Sequence, residues 1–81
     1  MIHELKTLKE YFVLVLCGSK QFELRINDKD FKTNDELLLK EWDGEKQEYT
    51  GRILHRRIDY ILKGGQFGLE NGYVIMSISN L

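Results

Sequence analysis

Three ionisable residues stand close together in the stretch Gly18-Ser19-Lys20-Gln21-Phe22-Glu23-Leu24-Arg25. From Gln21 onward the residues alternate. Phe22, Leu24 and Ile26 fall on one face of a strand, and Gln21, Glu23, Arg25 and Asn27 on the other. Glu23 and Arg25 are therefore same-face neighbours, with Lys20 at the turn just before them. A carboxylate between two cations leaves one spare positive charge, aimed at whatever lies beside the strand. On residue types alone, the simpler reading is an exposed ladder of charges that keeps a strand soluble.

Few other groups in the chain carry chemistry. His3 and His55 are the only histidines and Cys17 is the one cysteine, so no metal site and no cofactor are expected. His3 reads as a surface or cap residue. Asp28-x-Asp30 opens like a calcium loop, but Lys32 and Thr33 stand where that loop needs a ligand and a glycine. Arg52, His55, Arg56 and Arg57 form a basic cluster, read first as a solvated face and second as a phosphate contact. Adjacent strand residues point to opposite faces, so Arg56 and Arg57 do not reach one ligand together. The glycines at 64, 65, 68 and 72 make a loop without the Gly-Lys-Ser/Thr ending of a P-loop. It is expected to wrap a barrel mouth, pinned by Phe67 and Leu69. Trp42, the one tryptophan, is expected to pack in the core.

These residues need elements to position them. Ile2 to Thr7 is too short to read by periodicity; its β-branched Ile2, together with the resemblance given below, makes it a first strand. Thr7-Leu8-Lys9-Glu10 matches a capping box, with Thr7 as N-cap and Glu10 as its reciprocal partner. Tyr11 to Cys17 is an apolar run with high strand propensity. The cap before it and Gly18 after it predict a helix from Leu8 to Cys17. Leu8, Phe12, Val15 and Leu16 make its core stripe, and Val13 and Cys17 leave an apolar outer face. Asn27 to Asp35 is a polar turn region anchored by Phe31, in which Asn34 can adopt the left-handed conformation. Glu36 to Trp42 is a strand in which three consecutive leucines break strict alternation. Asp43-Gly44 signals a turn. Tyr49 to Leu62 is too long for one straight strand, and Gly51 marks a bend or bulge. Tyr73 to Ser79 alternates, with Val74, Met76 and Ile78 inward. The prediction is a mainly β (α+β) fold with one or two short helices, a small barrel of about five or six strands.

The pattern Gly18-x-Lys20-x-x-Glu23-x-Arg25 resembles the signature of the ASCH (activating signal cointegrator homology) domains, which belong to the PUA-like group of small β-barrels. His3-Glu4-Leu5-Lys6-Thr7, Asn27-Asp28-Lys29-Asp30-Phe31, Glu48-Tyr49-Thr50-Gly51-Arg52 and Tyr60-Ile61-Leu62-Lys63-Gly64-Gly65 resemble a compact bacterial or phage-type branch of that group. The likeness spans nearly the whole chain and implies a single domain over residues 1–81. It implies an RNA- or nucleotide-binding module. Lys20 and Arg25 would contact phosphate or base acceptors, Glu23 would orient Arg25 or accept from an exocyclic amine, and Lys6 and Gln66 would complete the rim. Some ASCH relatives hydrolyse modified nucleosides. In a small amidohydrolase acting on acetylated cytidine, Lys20 with a lowered pKa would be the base and Glu23 a proton carrier. Those relatives resemble one another in a threonine where this chain has Glu23, which ranks catalysis below binding. A third reading is a protein-interaction domain, forming a weak homodimer through the outer face of the Leu8–Cys17 helix.

Composition narrows these classes. A chain of 81 residues holds one modest core, burying roughly 60% of the surface it exposes unfolded. A net charge of −1 argues against gripping long duplex nucleic acid by bulk electrostatics, while leaving room for a local basic pocket. A single cysteine forms no internal disulfide, so nothing calls for an oxidising compartment. With no apolar run of membrane-spanning length and no signal-peptide pattern, a cytoplasmic location without membrane contact is expected.

Overall fold

The computed structural model describes all residues, Met1–Leu81. Five strands and one helix follow in the order β1 (Ile2–Leu8), α1 (Lys9–Leu16), β2 (Phe22–Ile26), β3 (Glu36–Asp43), β4 (Glu48–Lys63) and β5 (Tyr73–Ser79). The fold is mainly β with one short helix, as the sequence predicts. The strands form one sheet in the order β1-β3-β4-β5-β2, curled into a half-barrel. β1 runs parallel to β3, and every other neighbouring pair is antiparallel. The edge strands β1 and β2 are not paired in the ladder. Across the gap between them Arg25 Nη1 donates to the Lys6 carbonyl at 3.1 Å.

Alternation along the strands sets what faces inward. Leu5, Leu37, Leu39, Ile58, Val74, Met76 and Ile78 pack with Val15 of α1 and with Phe31 in one core. Each such buried side chain contributes about 1.5–3 kcal/mol. The three leucines of β3 do not break its alternation: Leu37 and Leu39 are buried, Leu38 points out, and the pattern continues through Glu41 and Asp43. Phe31 anchors its loop, and Asn34 takes a left-handed φ of 75°.

β4 is long enough to need bending. Gly51 has a φ of 96°, and the pairing with β3 shifts register between Lys40 and Trp42. The extra residues bring Thr50 and Arg52 together onto Glu41. Arg52 Nε donates to Glu41 Oε1 and Nη2 to Oε2, both at 3.0 Å, and the Thr50 hydroxyl also donates to Oε1. The Arg52 hydrogen bonds, joined by that of Thr50, outweigh burial and hold the Glu41 carboxyl below its usual range. Lys9 Nζ reaches Asp43 at 3.5 Å and ties the start of α1 to the same end of β3.

Several expectations are corrected. The helix spans Lys9–Leu16 and not Leu8–Cys17, because β1 stays paired with β3 as far as Leu8 opposite Trp42. Thr7 is thus an inward strand residue, no side chain caps α1, and the capping box loses to the ladder. Phe12 and Val15 are buried, whereas Leu8 and Leu16, assigned to the core stripe, are exposed. Gly18, with a φ of 86°, follows the helix end as predicted. Trp42 is half-buried on the outer face, away from the core, with the Lys6 ammonium 4.1 Å from its ring centroid and the Tyr49 ring edge-on at 4.9 Å. Phe67 pins nothing, since it is almost fully exposed. The 64–72 loop is instead fixed at Gly64, whose N–H donates to the Tyr73 carbonyl at 2.7 Å. His3 is buried, its Nε2 lying 2.8 Å from Asp35 Oδ2 and its ring edge-on to Phe31.

Candidate functional site

β2 is inverted relative to the simple reading of its sequence. Glu23 pairs with Met76 and Arg25 with Val74 across the β2–β5 ladder. Directly paired residues share a sheet face, so the inward Met76 and Val74 bring Glu23 and Arg25 inward too. Glu23 is only 2% exposed, Arg25 is half-buried, and Phe22, Leu24 and Ile26 lie on the outside. The charges are not a solvated ladder. They are the polar lining of the half-barrel where β2 approaches β1.

The turn after α1 sets the geometry. Gly18 lets the chain reverse, the Lys20 N–H donates to the Leu14 carbonyl at 3.0 Å, and the Ile78 N–H donates to the Gln21 carbonyl at 3.1 Å. Lys20 Nζ then donates to Glu23 Oε1 at 2.9 Å and to the Phe22 carbonyl at 2.7 Å. Arg25 Nε donates to Glu23 Oε2 at 3.0 Å. Its Nη2 donates to the Thr7 hydroxyl at 3.3 Å, and that hydroxyl donates to the Leu5 carbonyl at 3.4 Å. A buried carboxylate flanked by two cations keeps a net charge of one positive unit. Lys20 retains one unused N–H, and Arg25 two of its five. Thr7 is already both donor and acceptor.

Above these groups opens a cleft of about 450 Å³, with Leu8, Tyr11, Phe22 and Leu24 as apolar walls and Lys20, Glu23, Arg25 and Thr7 as its polar part. Of the residues predicted for the site, Lys20, Glu23 and Arg25 come together here. Lys6 also lines the cleft, but it offers its carbonyl to Arg25 while its ammonium lies over Trp42 on the outer face. Gln66 is not among the lining residues; its amide donates to the Lys63 carbonyl within its own loop. Sequence reasoning missed Thr7, which its capping-box spacing disguised, and the walls Tyr11 and Phe22, which their apolar character assigned elsewhere.

The basic cluster of β4 disperses. Arg52 is taken by Glu41, His55 Nε2 lies 3.4 Å from Glu36, and Arg57 Nε donates to Asp59 at 3.3 Å. Arg56 turns inward, paired with the buried Leu37. No group of three or more His, Cys, Asp or Glu side chains is placed to hold a metal ion. No helix is long and apolar enough to cross a membrane.

Residues 2–78 match the model of a family described as a domain of unknown function (DUF3850). The chain is also similar to the "Uncharacterized 12.9 kDa protein in GpA 3'region" of Escherichia phage P2, with 42% identity over 57 residues. That match covers 70% of this chain and 50% of the phage protein, so the chain spans about half the length of that relative.

Proposed function

The chain belongs to the DUF3850 family, and we propose that it is an RNA- or nucleotide-binding module of the ASCH/PUA-like kind, holding an anionic ligand through one unstacked base in the cleft beside Gly18–Arg25. The observation that carries this reading is the pairing of aromatic walls with a donor-rich interior. Tyr11 and Phe22 are both about half-exposed at the cleft, and although the Lys20 ammonium lies 4.8 Å over one face of Phe22, ring surface is left on which a base can stack. Beneath them lie the two unused hydrogens of Arg25, so the edge of the ligand that enters must carry acceptors, while the one left on Lys20 is free for a phosphate. A nucleobase has both features, a flat π-face and an edge of carbonyl and ring-nitrogen acceptors. Glu23 fixes the two cations and leaves them one net positive charge for a phosphate-bearing ligand. Catalysis by Lys20 and Glu23 ranks lower, because each is already the other's hydrogen-bond partner and Thr7 is committed to Arg25 and Leu5.

The test is binding of short single-stranded RNA, followed by fluorescence anisotropy across a salt series. Lys20→Ala should weaken binding and reduce the salt slope by about 0.7, the single-strand value for one lost phosphate contact. Glu23→Gln should alter base preference more than salt slope, since base edges specify and phosphates position. Absence of wild-type binding at low salt would refute the reading.

A further inference from the structure

Arg56 is the exception among the inward charges of the half-barrel. Alternation along β4 places it between Leu54 and Ile58 on the core-facing side, opposite Leu37. It is half-buried, forms no ion pair, and its only hydrogen bond runs from Nη1 to the His55 carbonyl at 2.8 Å. Arg25 and Arg52, the other two inward guanidiniums, each hold a buried carboxylate. No buried side-chain nitrogen or oxygen lacks a partner, so the unused donors of Arg56 face solvent and stay available to an anion.

The surroundings of Arg56 fit such an anion. It lines a second cleft of about 350 Å³ together with Lys20, Gly18, Gln21, Ser79 and Asn80, and no aspartate or glutamate lines it. Lys20 lines both clefts, so the two meet at this residue. The first cleft has aromatic walls, while the second sets two cationic residues and the polar Gln21, Ser79 and Asn80 beside a floor of Val15, Leu16, Cys17 and Ile78. This division matches the two ends of a nucleotide.

We infer that the second cleft takes the phosphate of the ligand whose base occupies the first, with Arg56 and the remaining N–H of Lys20 as its charged donors. The occupant is then a nucleoside monophosphate or one nucleotide step of a strand, and not a free nucleoside. This rests on the base-binding reading above and adds the phosphate end to it. Arg56 becomes a ligand contact, promoted above its basic neighbours Arg52, His55 and Arg57, which are spent on carboxylates.

The experiment compares the four ribonucleosides with their 5′- and 3′-monophosphates, using amide chemical-shift titrations of the wild type with inorganic phosphate as a further probe. The best monophosphate should bind about tenfold tighter than its nucleoside, the worth of one added charge-assisted contact. Its additional shifts should fall at Gly18, Gln21, Ser79 and Asn80, and inorganic phosphate should perturb the same amides. Arg56→Ala should remove most of the monophosphate's advantage, leaving only the share of Lys20 with nucleoside affinity unchanged, and Arg56→Lys should restore part of the difference. Equal binding of nucleoside and monophosphate by the wild type would overturn the inference and leave the base-binding reading standing. So would phosphate shifts scattered over the surface, or a monophosphate preference undiminished in a folded Arg56→Ala protein. If neither nucleosides, monophosphates nor short single-stranded RNA perturb the first cleft, both the inference and the reading beneath it fall.

Discussion

Glu23→Gln is the sharpest probe of the inverted strand. The glutamine keeps the size of the side chain and one acceptor oxygen, but it removes the charge and turns an amide NH₂ toward a cation that is itself a donor. Removing one partner from a fully buried ion pair costs about 3–5 kcal/mol. Here the carboxylate is buried, while the side chains of Lys20 and Arg25 remain 15% and 26% exposed, so water recovers part of the loss. The expected cost is therefore about 2–3 kcal/mol, against a total stability on the order of 4–12 kcal/mol for a domain of this size. In urea, with a slope of about 1 kcal/mol/M for so small a chain, the unfolding midpoint should fall by about 2–3 M. Lys20→Met should cost less, because Arg25 still holds Glu23. The double variant should be less destabilised than the sum of the two by about 1 kcal/mol, the signature of a shared network. A Glu23→Gln stability within about 0.5 kcal/mol of wild type, the range of ordinary surface changes, would refute a desolvated Glu23 between two cations.

Three further outcomes are expected. The carboxyl of Glu41 is held below its usual range by the Arg52 and Thr50 hydrogen bonds, and that of Asp35 by the His3 hydrogen bond, so each contributes stability above its ordinary pKa of 4.5 or 3.8. That contribution is lost as pH falls through the lowered folded values. Urea midpoints measured from neutral to acidic pH should decline there, and Arg52→Met should flatten the decline; an unchanged profile would exclude the Glu41 share. Gly64→Ala drives a methyl group into the Glu70 carbonyl oxygen and should cost about 1–3 kcal/mol in thermal unfolding, while Gly44→Ala meets no atom within 4 Å and should be nearly neutral. Equal effects of the two would contradict the tight loop. Val13 is exposed on α1 beside Tyr11, Leu14 and Leu16, and a weak dimer through this face should revert to monomer in Val13→Glu; a wild type monomeric at high concentration in sedimentation removes that idea.

The strands were legible because their signals are local. Val74, Met76 and Ile78 alternate inward as expected, Gly18 follows the helix end, and Gly51 coincides with a bulge. The site was only half legible. Alternation in Gln21–Asn27 says which residues share a face, and it correctly joins Glu23 to Arg25. It does not say which face is inward; that is decided by the β2–β5 ladder, whose register lies outside the local sequence. Thr7 shows the same limit from the other side. Its capping-box spacing is genuine, but the pairing of β1 with β3 from Ile2 to Leu8 holds it in a strand.

Arg56 was legible in principle, and its case shows how face assignment bears on function. Leu54 and Ile58 flank it at i−2 and i+2, a pattern that places a strand residue on the apolar face whatever its charge. Alternation separates Arg56 from Arg57, but it does not say which of the two faces inward, and the charge of Arg56 favours a solvated face. Sorted by face, the inward carboxylates Glu23, Glu41 and Asp43 each have a cation, and the inward guanidiniums of Arg25 and Arg52 each have a carboxylate. Arg56 has none, and it stands where a cleft without acids meets the one beside Lys20. A guanidinium on the core-facing side with no acid partner is a local conflict of the kind that binding resolves. That imbalance is also why Arg56 and Lys20 belong in one experiment: if an anion bridges them, the two substitutions will be coupled in ligand affinity, and if none does, their effects will add.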